Sequence, residues 1–222
     1  MLTLAIDTAS LACQAAICDG ERLLGACRET IGRGHAERII PVIDEALDEA
    51  GLAIGAMKRI AVTVGPGSFT GIRVGVSAAR GFALALGCDC VGISTLEVLA
   101  AMARPTYPNR AILATVDARR GEVYVGLFGP DGEALGDPVA LSPEQAAAMA
   151  RESGAVLAGS GAALLSPFID AGDIAMDADT IDVAMMARMA ATLAGPFERP
   201  KPLYLRGADA KPQVGFAVAR KA

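Results

Sequence analysis

Residues 65–75 read Gly65-Pro66-Gly67-Ser68-Phe69-Thr70-Gly71-Ile72-Arg73-Val74-Gly75. A glycine-rich turn that feeds a helix presents free backbone N–H groups at the helix's positive end, where phosphate or carboxylate binds. Gly67, Ser68 and Thr70 are the candidate anion contacts of this turn. No lysine follows the glycines, so the segment is not a P-loop. The other reading is a tight strand-to-helix crossover capped by Ser68 or Thr70. Asp7, with Thr8 and Ser10, stands at the end of the first apolar run. There it offers one carboxylate for a metal and hydroxyls for phosphate. Its counterpart, Asp117, is followed by Ala118-Arg119-Arg120-Gly121. These arginines are bulky where a phosphate-hugging turn wants small residues; they could pair with phosphate themselves or with acidic groups of a partner.

His35 is the single histidine, which excludes a two-histidine metal site and makes any histidine-based nucleophilic triad depend on this one ring. Capping or surface placement and a contribution to an interface are both open for it. Five cysteines, an odd number without zinc-finger spacing, read as free thiols in a reducing compartment. No catalytic residue and no metal-ligand set can be assigned. The net charge of −5 gives no support for wrapping a phosphate backbone unaided, although basic residues cluster locally at 119–120 and across 201–221. Residues 1–7 have no basic region ahead of their apolar run and read as a strand rather than a targeting peptide. Arg73, Arg80 and Asp89 interrupt the apolar stretch 72–93, so no membrane span and a cytoplasmic location are expected.

The elements that must position these groups follow from the apolar period. Residues 2–7, 12–19 and 22–29 form a three-strand meander with a turn at Asp19-Gly20. Helical spacing over 36–50 ends at Gly51; Pro41 falls in the first turn if the helix starts near Arg38. Strand 59–64, a helix over 71–86, strand 89–92 and a helix to about 103, capped by Ser94 or Thr95, complete a first unit. Beyond a break at 104–109 the pattern returns. Strands 111–116, 122–128 and 134–141 lead to a helix over 142–150, a strand near 155–158 and a helix over 181–193. Asp19-Gly20-Glu21 is echoed by Asp131-Gly132-Glu133. Residues 200–206, Pro-stiffened and extended, are expected to clip onto the body or dock a partner, and 208–222 to be partly disordered.

Two meander-led units in tandem resemble the actin-like, sugar-kinase and heat-shock ATPase superfamily. That resemblance implies an α/β fold of tandem ribonuclease-H-like domains, 1–104 and a smaller 105–222, with ATP in the cleft between them. Small residues recur at Gly71, Gly75, Ala79, Ala83 and Gly87. Each four-residue step drifts by about 40°, so any three neighbours in this series share a helix face. Such a face allows close approach, either within its own domain or, together with helix 36–50, against another chain.

The opening Asp7-Thr8-Ala9, His35-Ala36-Glu37 before Ile40-Pro41, the glycine-rich segment, Ser94-Thr95-Leu96 and Pro202-Leu203-Tyr204-Leu205-Arg206 together resemble the TsaB (YeaZ) family. The resemblance implies a non-catalytic partner in making N6-threonylcarbamoyladenosine in tRNA. It implies pairing with a TsaD-like catalytic paralogue that carries the metal-binding histidines, joined by a TsaE-like ATPase. ATP and a metal ion would then be used by the assembled complex and not held firmly by this chain, and tRNA would be met mainly through the complex. Contacts are expected on the first-domain helices, at His35, Glu37, Ile39, Ile43, Leu47, Gly71, Arg73, Gly75, Ala79 and Phe82, with a homodimer in isolation. The rival readings are an independent ATP-dependent phosphotransferase or ATPase of the same superfamily, and a hydrolase using Ser68 or Thr70 with His35.

Overall fold

The computed structural model describes residues 1–170, 173–176, 178 and 180–206. Its first half is β1 (Leu2–Asp7), β2 (Ala12–Asp19), β3 (Arg22–Thr30), α1 (His35–Ala50), β4 (Arg59–Gly65), α2 (Phe69–Leu86), β5 (Asp89–Ser94) and α3 (Thr95–Ala103). The sheet order is β3-β2-β1-β4-β5, with β1 antiparallel to β2 and parallel to β4. β1 and β4 read as continuous apolar runs, not as alternations, because both of their faces are covered. Helix α1 ends where Gly51 turns left-handed (φ 65°), a conformation that glycine adopts without steric cost. It starts at His35 rather than near Arg38, which leaves Pro41 inside the helix, beyond its first turn.

The second half is β6 (Ile112–Arg119), β7 (Glu122–Phe128), β8 (Val139–Leu141), α4 (Pro143–Ser153), β9 (Val156–Ala158), α5 (Ala162–Leu165), β10 (Ile174–Met176) and α6 (Val183–Thr192). Its sheet runs β8-β7-β6-β9-β10, the order of the first sheet. Two sheets of one topology make this a tandem ribonuclease-H-like fold of the actin-like class. The second copy is reduced: α5 has four residues where α2 has 18. The third strand expected over 134–141 shrinks to Val139–Leu141. Leu135 N–H still reaches the Leu127 carbonyl at 2.8 Å, but Gly136 turns to φ 153° and Pro138 has no N–H to continue the ladder.

Three apolar layers result. The first lies beneath α1 and α2 and the third beneath α4 and α5. The middle layer is shared, with Ala5, Ala16 and Val91 of the first sheet, Ile112, Ala114 and Val156 of the second, and Leu96, Leu99, Ala184 and Ala187 between them. The helices of this layer are exchanged: α3 lies on β6 and β7, and α6 on β1, β2 and β4. Buried Arg59 secures the exchange, its guanidinium donating to the carbonyls of Ala190 and Leu193 and to Asp89. Gln14 Nε2 donates to the Ile181 carbonyl at 3.1 Å.

Candidate functional site

A cleft of about 460 Å3 opens between the sheets, lined by Asp7, Ser10, Gly67, Ser68, Thr95, Asp117, Arg119 and Ser160 among others. The ends of β1 and β6 place Asp7 and Asp117 on its two sides, as the repeat predicts. Their surroundings differ. Asp7 is 1% exposed. Its Oδ1 accepts from Ala9 N–H at 2.9 Å and from the Thr63 hydroxyl at 2.6 Å, and its Oδ2 from Gln14 Nε2 at 2.9 Å. Three of the carboxylate's roughly four acceptor positions are thus taken by donors of its own domain. Asp117 accepts from Arg119 N–H at 2.7 Å and from its guanidinium at 3.2 Å. No cluster of three or more metal-ligating side chains occurs among the described residues.

The glycine-rich segment finds its physical account in the β1–β2 loop. A Cβ on Gly67 would lie 2.2 Å from the Ala9 carbonyl oxygen, and one on Gly71 1.9 Å from that of Thr8. Buried Thr8 donates its hydroxyl to the Gly71 carbonyl at 2.7 Å, and Ser68 N–H donates to Ala9 at 2.7 Å. Ser68 Oγ caps α2 by accepting from Gly71 N–H at 3.2 Å. The turn is therefore a close-packed strand-to-helix crossover with Ser68 as its cap. Thr70 is exposed on the first turn of α2, and Ser10 Oγ accepts from Ala12 N–H at the cleft edge.

His35 is 7% exposed and donates Nε2–H to the Ser10 carbonyl at 3.1 Å. Its Nε2 is thus committed to a backbone carbonyl, and no hydrogen bond joins it to Ser68 or Thr70 among the described residues. Burial pushes the Cys13 thiol up to about 11. The Cys27 thiol rises to about 12, first through burial and then through Glu45, to which it donates at 3.1 Å. Neither is an activated nucleophile at neutral pH.

The expected contact residues divide sharply. Ile39, Ile43, Leu47, Gly71, Gly75 and Ala79 are buried within this chain, and a Cβ on Gly75 would meet Thr8 Oγ1 at 2.5 Å. The small-residue face thus packs on its own domain, and any partner contact falls on the intervening exposed positions. Of the expected set Glu37 and Arg73 are exposed, and Phe82 is half-buried. Leu84 of α2 is 82% exposed and Ile40 of α1 47%. α2 is the one described helix long and apolar enough to cross a membrane, but one side is packed on β4 while Arg73 and Arg80 stand on the other.

The segment 200–206 does clip back. Leu203 N–H donates to the Val64 carbonyl at 2.8 Å. Arg73 sits 3.8 Å over the Phe69 ring and donates Nε–H to Tyr204 Oη at 2.8 Å, and Arg206 pairs with Glu122. Residues 208–222 lie outside the described residues. Sequence reading missed Gln14 and Thr63, the holders of Asp7. The available signal was a polar side chain inside each of two otherwise apolar strands, since buried polar groups are normally paired.

The family model for TsaD, tRNA N6-adenosine threonylcarbamoyltransferase, matches residues 23–172. The tRNA threonylcarbamoyladenosine biosynthesis protein TsaB of Escherichia coli is 39% identical over 124 residues, 56% of this chain and 53% of that protein. The match therefore spans about half the length of that relative. The TsaB protein of Haemophilus influenzae is 34% identical over 180 residues, 75% of each chain. A crystal structure from Pseudomonas aeruginosa, of an uncharacterized protein with similarity to peptidase YeaZ, superposes with a TM-score of 0.73. It is 31% identical, over 92% of this chain and 99% of that one.

Proposed function

The chain belongs to the TsaB (YeaZ) family, and from that premise we propose that it is a non-catalytic subunit supporting a TsaD-like paralogue in transferring threonylcarbamoyl to the tRNA adenosine next to the anticodon. The observation that carries this reading is the state of Asp7. The carboxylate best placed to hold a metal is engaged by three donors of its own domain. The metal-holding and donor-handling chemistry is then the paralogue's, with ATP used by the assembly that a TsaE-like ATPase completes. This chain holds the catalytic subunit in its competent shape.

The contact surface in this reading is the exposed side of α1 and α2, with Ile40, Glu37, Arg73 and Leu84. An apolar side chain as exposed as Leu84 gains by burial against a partner. The isolated chain uses the same face for a homodimer. Charge supports the division of labour, since a chain of net −5 meets RNA mainly through the complex.

Reconstitution tests the reading. With unmodified tRNA, threonine, bicarbonate, ATP and the enzyme that makes the adenylate donor, the TsaD-like and TsaE-like proteins are expected to form modified adenosine only when this chain is added. Transfer without this chain, or Asp7-dependent ATP turnover by the chain alone, would overturn it.

A further inference from the structure

The chain beyond α6 is held in two unlike ways. Its first part is built into the core. Phe197 packs on the shared middle layer with the Arg59 guanidinium 4.6 Å over its ring. Pro200 is buried against β5, where a Cβ on Gly92 would meet it at 3.2 Å. Past Pro200 none of residues 201–206 is buried, yet they join the two halves of the molecule. We propose that 201–206 is a releasable strap, rooted at Pro200, that ties the turn between β6 and β7 to the start of α2 and lets go without either sheet unfolding.

On the first half the strap grips the end of β4. Leu203 N–H donates to the Val64 carbonyl at 2.8 Å, and Val64 stands where the β4–β5 register shifts, between Thr63 and Gly65. Gly65 keeps φ at 104°, and a Cβ there would meet Ile72 Cδ1 at 2.8 Å and the Leu203 carbonyl oxygen at 3.3 Å. A side chain at this position would push on the strap as well as strain the backbone. One residue on, Tyr204 Oη accepts Arg73 Nε–H at 2.8 Å, and its ring lies 5.3 Å from that of Phe69.

On the second half the grip is through Arg206, which donates to the Ala118 carbonyl at 3.4 Å and pairs with Glu122. Leu203, Tyr204 and Arg206 line one groove with Arg73 of α2 and with Arg119 and Arg120 of the β6–β7 turn. The step from Leu203 to Arg206 spans about 10 Å of extended chain, so the two grips are mechanically linked.

Energetics make the strap releasable. A single backbone hydrogen bond outside the core and an ion pair whose Glu122 side chain is 45% exposed each contribute little net, because water replaces the partner. Losing one grip frees the short chain that carries the other, so the strap opens as a unit while the buried root stays. Opening bares the Phe69 ring and frees the Arg73 guanidinium, so the strap also sets what the start of α2 presents at the surface.

The test is native-state amide exchange of the full chain, read by mass spectrometry. In the wild type the Leu203 amide is expected to exchange at least about a hundredfold faster than amides of β1 and β4. Arg206→Ala should speed the Leu203 amide about threefold although its own bond to Val64 is untouched, and Arg206→Lys should restore much of the protection. Leu203→Pro removes the N–H and should speed exchange in the peptide spanning 118–124 about threefold, and Tyr204→Phe, which leaves the backbone alone, about twofold. The double variant L203P/R206A should speed that peptide no more than the faster single variant. Additive effects in the double variant, or a 118–124 peptide unmoved by both Leu203→Pro and Tyr204→Phe, would make the grips independent and overturn the strap. Leu203 exchange as slow as that of β1, or faster exchange throughout β1 and β4 in Arg206→Ala, would make the segment part of the global fold and equally overturn it.

Discussion

Replacing Asp7 by asparagine separates a carboxylate that binds a ligand from one that holds the fold. The Oδ1 position receives Ala9 N–H and the Thr63 hydroxyl, and the Oδ2 position receives Gln14 Nε2. An asparagine offers one acceptor and one donor to these three donors. With its oxygen at the Oδ1 position, its NH2 faces the NH2 of Gln14. Turning Gln14 over relieves that clash but sets its oxygen against the Ile181 carbonyl, to which it now donates at 3.1 Å. With the asparagine reversed, the Ala9 N–H meets a donor instead. Either way a buried donor is orphaned and charge-assisted hydrogen bonds are lost, together about 3 kcal/mol. For a chain of this size that is a fall in Tm of about 6–12 °C.

The assay is thermal and urea unfolding of wild type and Asp7→Asn, followed by far-UV circular dichroism. An acidic group kept unpaired for a metal would behave oppositely, since neutralising it relieves a buried charge and leaves stability equal or higher. An unchanged or raised Tm in Asp7→Asn, with loss of magnesium-ATP binding by calorimetry, would refute the structural assignment of this carboxylate.

Glycines on one helix should respond in opposite directions. Gly71→Ala puts a Cβ against the Thr8 carbonyl oxygen and is expected to cost about 3 kcal/mol or more through backbone shifts, whereas Gly81→Ala, exposed with nothing within 4 Å, should gain about 0.5–1 kcal/mol; chemical denaturation reads both. Arg59→Met removes the donors to Ala190, Leu193 and Asp89 and is expected to cost about 2–3 kcal/mol, with faster amide exchange in α6 by mass spectrometry. Cys27, its thiol held up to about 12, should react with iodoacetamide at pH 8 more than about tenfold slower than free glutathione, and Glu45→Gln should speed it. The Arg38 guanidinium holds the Glu29 carboxyl below its ordinary value of 4.5. Its contribution is therefore complete above that pH and fades as pH falls through the lowered value, so Glu29→Gln should flatten the acid limb of the unfolding curve.

Much of the architecture was legible because it is written in local period and punctuation. Continuous apolar runs marked β1 and β4, and Gly51 marked the end of α1. The echo of Asp19-Gly20-Glu21 by Asp131-Gly132-Glu133 announced that one sheet topology occurs twice. The glycine-rich segment was visible as a special backbone, open to an anion-binding or a crossover reading. Why positions 67 and 71 are glycine came only from their distance to Ala9 and Thr8, a contact between segments some 60 residues apart.

The amino-acid pattern alone determined which residues turn inward and roughly where most elements lie, because both depend on neighbours within a few positions along the chain. It could not say what covers an inward face. Ile39, Ile43, Gly75 and Ala79 satisfy a core and an interface alike, and only the folded sheet beneath them shows that this chain fills the space itself. Tertiary structure alone also exchanged α3 and α6 between the sheets, surrounded Asp7 with Gln14 and Thr63, and brought Arg73, Arg119, Arg120 and Arg206 to one groove. Apart from Asp7 with Gln14 on the neighbouring strand and the adjacent Arg119 and Arg120, those relations join residues tens to more than a hundred positions apart, and local propensity carries no information about which distant surface an element will meet.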